Sequence, residues 1–129
     1  MIVLDTHAWL WWLAEPRRLS GAAREAIGRA EALGVATISC WEVGMLAARG
    51  RISLDRDVEV WVRQALITEP VRALELTGEI AVRAALLDPR EFVGDPADRI
   101  IYATARESGS ALVSRDRAMA TFDPQRVVW

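Results

Sequence analysis

Four acidic residues stand where short apolar runs give way to helix-forming sequence: Asp5, Glu42, Asp98 and Asp116. Asp5 is the clearest of them. It ends the run Ile2-Val3-Leu4, and the polar pair Thr6-His7 and a Trp/Leu-rich stretch follow it. In an open parallel sheet all strand-to-helix boundaries lie along one edge, which is where such sheets bind ligands. Four carboxylates brought there repel and raise one another's pKa. One or two divalent cations relieve that repulsion. Magnesium held by carboxylates can activate a water for in-line attack on a phosphodiester and stabilise the leaving oxygen. Each acid also has a plainer reading. Glu42 closes the S-x-x-E pattern of Ser39-Cys40-Trp41-Glu42, and Asp98 takes the third position of a helix opened by Asp95 and Pro96, so both suit helix caps. Asp5 and Asp116 can cap the helices that follow them. Only the conjunction, one acid per strand exit, puts a metal site on a par with four separate caps.

The neighbours of these acids carry the same two readings. Thr6 and Ser114 can orient a carboxylate or a metal-bound water, or serve ordinary turns. Arg99, Arg115 and Arg117 stand directly beside site acids and could hold substrate phosphates, although solvated surface arginine is the commoner case. His7 is the only histidine, so a histidine cluster is excluded and a structural hydrogen bond is expected of it. The single cysteine, Cys40, excludes an internal disulfide and a thiolate zinc cage. A metal here must therefore bind oxygen, which favours Mg2+ or Mn2+ over zinc.

All 16 basic residues are arginine, which removes P-loop and Schiff-base chemistry. A net charge of -2 does not announce a nucleic-acid ligand. It does not exclude one either, because a few arginines in one cleft can carry phosphate contacts. At 129 residues the chain is read as one domain, 1–129. No basic leader precedes the first apolar run, and no apolar stretch approaches the roughly 18 residues of a membrane span, so a cytoplasmic protein is expected.

The positioning elements follow from pattern. The spacing predicts a helix over 7–13, ended by Glu15-Pro16. Ser20 opens a second helix over 20–33, with Ala23, Ile27, Ala30 and Leu33 on its buried face and Gly34 closing it. A strand over 35–38 and the capping-box helix over 39–49 come next. A helix over 57–67 turns Val58, Trp61 and Ala65 inward, and a strand over 71–76 precedes a helix capped by Thr77. Asp95 caps a helix to Glu107, a strand over 111–113 follows, and a short helix and a strand over 126–128 finish the chain. This alternation predicts an α/β fold, a mostly parallel sheet with helices on both faces. Trp9 and Trp12 share one face of the first helix, so Trp11 is expected to point elsewhere, at a partner or another helix.

The opening DTHAWLWWL, ISCWEVGML after the second strand, GDPADRIIYATA, and LVSRD near the end resemble the PIN-domain ribonucleases, specifically the VapC-type toxins of type II toxin–antitoxin systems. The resemblance spans essentially the whole chain. It implies a three-layer α/β/α sandwich and a magnesium- or manganese-dependent endoribonuclease acting on RNA. It also implies a cognate antitoxin partner, and a toxin homodimer or toxin–antitoxin hetero-oligomer. Asp5, Glu42 and Asp98 match the family's first three metal-binding acids, Asp116 the more variable fourth, and Ser114 a position that is often Ser or Thr. The alternatives are a structure-specific DNA nuclease using the same acids and a regulatory module that binds RNA or peptide without cutting. A phosphatase is less suited, since its acids usually read D-x-D.

Overall fold

The computed structural model describes residues 1–129. Five short strands form one sheet: β1 (Ile2–Leu4), β2 (Leu33–Ala36), β3 (Val71–Leu74), β4 (Ala111–Val113) and β5 (Val127–Val128). Their spatial order is β3-β2-β1-β4-β5, and every pair is parallel. Strands β1 and β2 are buried throughout, as expected of a parallel sheet covered on both faces. Alternation along β1 sends Ile2 and Leu4 into one core and Val3 into the other.

The first core gathers Trp9 of α1 (Thr6–Ala14), Ala23 and Ile27 of α2 (Gly21–Arg29), Val43 of α3 (Ile38–Ala48), and Trp61 and Ala65 of α4 (Val58–Ile67). The second is built on Ile101, Tyr102 and Ala105 of α6 (Pro96–Glu107) and Met119 of α7 (Arg117–Phe122). Helix α5 (Gly78–Ala85) packs on α6 through Ile80, Ala84 and Ala103. This is the α/β sandwich read from the sequence. No helix is long and apolar enough to cross a membrane.

Local signals place most elements. Ser20, Thr77, Asp95 and Asp116 each accept a backbone N–H three residues on, at the starts of α2, α5, α6 and α7. Gly50 and Gly109 adopt positive φ where α3 and α6 end. Three expectations fail, each for a physical reason. Helix α2 stops at Arg29, and Leu33-Gly34 belong to β2 rather than to the helix and its stop. Gly34 sits under close neighbours there: a Cβ would lie 2.7 Å from Leu74 Cδ1 and 3.2 Å from Val3 Cγ2, so any side chain would have to displace them. Helix α3 begins at Ile38 with no side-chain cap, so Ser39 and Glu42 form no capping box. Finally, α6 follows α5 and a loop rather than a strand, so Asp98 is not at a strand exit.

Candidate active site

The chain turns from β1 to β2 on one side, while β4 lies against β1 on the other. The crevice outside their C-terminal ends is the topological switch point of the sheet. A cleft of about 550 Å³ opens there, and Asp5, Glu42, Asp95, Asp98 and Asp116 all line it. His7, Trp11, Arg18 and Arg115 form the rest of its wall. The four acids singled out in the sequence therefore do converge, together with Asp95, for which the sequence offers only a capping role.

Asp5 leaves β1 and caps α1. Its Oδ1 accepts the Thr6 N–H at 2.7 Å, and its Oδ2 accepts the Ser114 hydroxyl at 2.6 Å. Ser114, just past β4, is buried, and its Oγ accepts the Asp116 N–H at 3.1 Å. Two neighbouring strands are thus tied together through the carboxylate. Burial pushes the Asp5 carboxyl up, and the Ser114 hydrogen bond opposes that rise only in part.

Glu42 stands one turn inside α3. The Thr6 hydroxyl donates to its Oε1 at 2.5 Å and shares a 2.9 Å hydrogen bond with the buried Ser39 hydroxyl. Here is the reason the capping box does not form: Ser39 and Glu42, three apart on one helix face, both turn to Thr6 instead of to the helix end. Burial raises the Glu42 carboxyl, the Thr6 bond lowers it, and Asp5 and Asp95 raise it further.

Asp98 and Asp95 do form the capping box expected of them. Asp95 Oδ1 accepts the Asp98 N–H at 2.9 Å, and Asp98 Oδ2 accepts the Asp95 N–H at 3.3 Å. Capping does not exhaust their role, because both also face the cleft. Burial first, then the charges of Asp95 and Asp5, push Asp98 up to about 7. Asp116 caps α7 through the Met119 N–H at 2.9 Å. Cap and cleft-lining group are therefore the same residues, not rival readings.

The arginines divide. Arg99 turns away from the cleft and donates to the carbonyls of Ala84 and Leu87, both at 2.9 Å, closing the end of α5. It is structural rather than a phosphate ligand. Arg117 is exposed and does not line the cleft. Arg115 does line it, and so does Arg18, which carried no local sequence signal in its short turn after Pro16. His7 is exposed at the cleft, its ring 5.6 Å from Trp11, rather than in the structural hydrogen bond expected. Of the two expectations for Trp11, a partner or another element of the chain, the structure shows a contact within the chain: it is buried, 8% exposed, with Trp129 5.8 Å away. The exposed tryptophan is Trp41.

No three His, Cys, Asp or Glu side chains close into a ready-made ligand cage. The donors facing the cleft are carboxylate oxygens, several of them desolvated and mutually repelling. That set fits a hard divalent cation, which keeps several waters and needs only one or two protein carboxylates besides substrate oxygens. It does not fit a soft or four-coordinate metal.

Comparison with known proteins agrees with the fold. The PIN domain family model matches residues 2–123. The chain is 46% identical over 127 residues to Ribonuclease VapC22 of Mycobacterium tuberculosis, covering 98% of this chain and 95% of the relative. Among solved structures it superposes on a toxin–antitoxin complex from Klebsiella pneumoniae with TM-score 0.72 and 23% identity, covering 100% of this chain and 97% of that one. It also superposes on VapBC2 from Rickettsia felis, bound to a DNA fragment from their promoter, with TM-score 0.68, 10% identity, and 98% and 97% coverage.

Proposed function

Because this chain belongs to the PIN-domain family, and within it to the VapC-type proteins, we propose that it is a divalent-metal-dependent endoribonuclease and the toxin of a toxin–antitoxin pair. One observation carries the proposal: acids from three distant segments, Asp5, Glu42 and Asp98, are desolvated together in one cleft and all hold their protons more tightly than usual. Burying mutually repelling carboxylates is costly, and a cation-binding role accounts for it. A pure RNA- or peptide-binding module has no use for such a cluster. The kinship to Ribonuclease VapC22 supports the reaction class, and the toxin–antitoxin complexes on which the chain superposes support a cognate antitoxin.

In this reading Asp5, Glu42 and Asp98 hold the cation, and Asp116 adds a fourth acid at the edge of the site. Bound Mg2+ or Mn2+ supplies Lewis acidity, activating water for attack on an RNA phosphorus and stabilising the departing oxygen. The protein's own contribution is orientation. Ser114 holds one oxygen of Asp5 by its hydroxyl, while Thr6, beside Ser39, holds one oxygen of Glu42. Asp98 exchanges its proton near neutral pH in the cation-free protein. RNA as substrate and an antitoxin as partner go with a cytoplasmic location, and the toxin acts as a homodimer or within a toxin–antitoxin hetero-oligomer.

The test is cleavage of single-stranded RNA by purified wild type and Asp5→Asn, with Mg2+, with Mn2+ and with EDTA. Cleavage should require the cation and the Asp5 carboxylate. Equal cleavage by both proteins, or cleavage indifferent to EDTA, would sink the assignment. A duplex or flap DNA offered in parallel separates the nuclease classes. Growth arrest on expression, relieved by the neighbouring small protein, tests the toxin role.

A further inference from the structure

Besides the acids, the cleft is lined by two guanidinium groups assembled on a single indole. The guanidinium of Arg18 lies 4.6 Å from the Trp11 ring centroid and that of Arg115 lies 6.0 Å from it. The two arginines come from segments almost a hundred residues apart, the turn after α1 and the loop after β4. Among the 16 arginines of the chain, they are the ones that line this cleft. Neither is consumed by the fold. Arg18 reaches Glu15 only at 3.8 Å, with its side chain 48% exposed, and Arg115 is exposed and committed to no carboxylate or carbonyl. Arg99 and Arg126, by contrast, are spent on backbone carbonyls.

Trp11 itself is too covered to stack a nucleobase. Its place, backed by Trp129 and flanked by His7, suits a different task. An aromatic face beneath a guanidinium fixes the plane of the fork while leaving its N–H donors free. Two such forks beside a negative cleft answer a specific difficulty: a polyanionic substrate must approach five carboxylates without being driven away.

We propose that Arg18 and Arg115, held on Trp11, form a phosphate clamp that grips the RNA backbone at phosphodiesters flanking the one that is cut. Trp11 is a positioning residue for this clamp and touches no substrate. The inference rests on the ribonuclease reading above and adds to it the subsite that makes an acidic cleft accept an anion. A clamp on flanking phosphates binds ground state and transition state alike, so it governs KM and leaves kcat almost untouched.

The experiment measures binding of a non-cleavable 2′-O-methyl oligoribonucleotide by fluorescence anisotropy across salt concentrations, alongside cleavage kinetics on the unmodified RNA. Wild type, Arg18→Gln, Arg115→Gln, the double variant and Arg117→Gln are compared in the presence of Mg2+. Each clamp variant should weaken binding about 3- to 10-fold and flatten the log–log salt dependence by about 0.7, the value of one single-strand phosphate contact. KM should rise in parallel with kcat held. Arg117→Gln, exposed and off the cleft, should match wild type. Unchanged affinity and salt slope in the double variant, with cleavage intact, overturn the clamp and leave the nuclease standing. An Arg117→Gln effect equal to that of Arg115→Gln reduces the result to net charge and overturns it too. A wild type that neither binds nor cuts RNA removes the underlying reading as well.

Discussion

The two sets of charges lining the cleft are built on opposite principles. On the acidic wall, Asp5 and Glu42 are drawn out of water and pinned by hydroxyls from elements remote in sequence, Ser114 to Asp5 and Thr6 to Glu42. Arg18 and Arg115, which also line the cleft, stay in water and lean on the face of Trp11, with only a long ion pair from Arg18 to Glu15 besides. Desolvated, cross-linked charges suit a task that needs fixed geometry and strong fields; solvated ones suit capture of a flexible polyanion, where screening keeps each contact weak. The difference teaches that charge count alone, near balance over the chain, says little about what each charge does.

Removing an acid should have the largest effect. Asp5→Asn or Asp98→Asn should lower cleavage by about 10³-fold or more, some 4 kcal/mol of barrier. Melting of the cation-free protein should stay level or rise, because a repelling carboxylate has gone. The Asp98→Asn oxygen can still accept the Asp95 N–H, and the Asp5→Asn amide keeps one acceptor oxygen, with the Ser114 hydroxyl turning to accept from its N–H. A large loss of melting temperature in both variants would mean that these acids are structural. Next come the pinning hydroxyls. Thr6→Val and Ser114→Ala should each weaken cation affinity or activity by about 10- to 100-fold, the usual range for groups that orient metal-binding carboxylates. Thr6→Ser should restore much of the loss, as read by calorimetric Mg2+ titration. The arginine variants should lie below both, at the few-fold changes in KM given above. An arginine variant as damaging to kcat as Asp98→Asn would erase the contrast between the two sets.

The acidic wall also sets a pH signature. Asp98 titrates near 7 in the folded protein against an ordinary value of 3.8, so between those values the folded state binds more protons than the unfolded state. Stability of the cation-free protein then falls as pH rises through this window, and acidification from pH 8 to 5 should raise its melting temperature. Asp88 and Asp123 are held below their ordinary range, so their contributions are lost only at more acidic pH and leave this window clear. Saturating Mg2+ should flatten the trend or reverse it, since cation and proton compete for the same oxygens. A melting temperature that climbs from pH 5 to 8 without cation would contradict the burial of these acids.

Much of this was legible in the sequence. Caps at Ser20, Thr77, Asp95 and Asp116 are local chemistry, and each opened the helix expected of it. Asp5 and Asp116 were visible because each closely follows a short apolar strand, Glu42 and Asp98 because each takes the third position of an expected helix start. The failures are tertiary. Ser39 and Glu42 spell a capping box, yet the buried Thr6 hydroxyl outcompetes the helix end for both side chains. Leu33-Gly34 reads as a helix end until Val3 and Leu74 close over the glycine. What Trp11 meets, a partner or another part of the chain, stayed open in the sequence because Arg18, Arg115 and Trp129, which cover it, lie outside its helix. No periodicity within one element reports such a cluster.

The most direct test of the cation site is a crystal of the protein soaked in Mn2+, with the ion located by its anomalous scattering. The expected result is manganese in the cleft bound by Asp5 and at least one of Glu42 and Asp98, and absent there in Asp5→Asn. Manganese only on surface carboxylates away from the cleft, or an unchanged peak in the variant, would contradict the account.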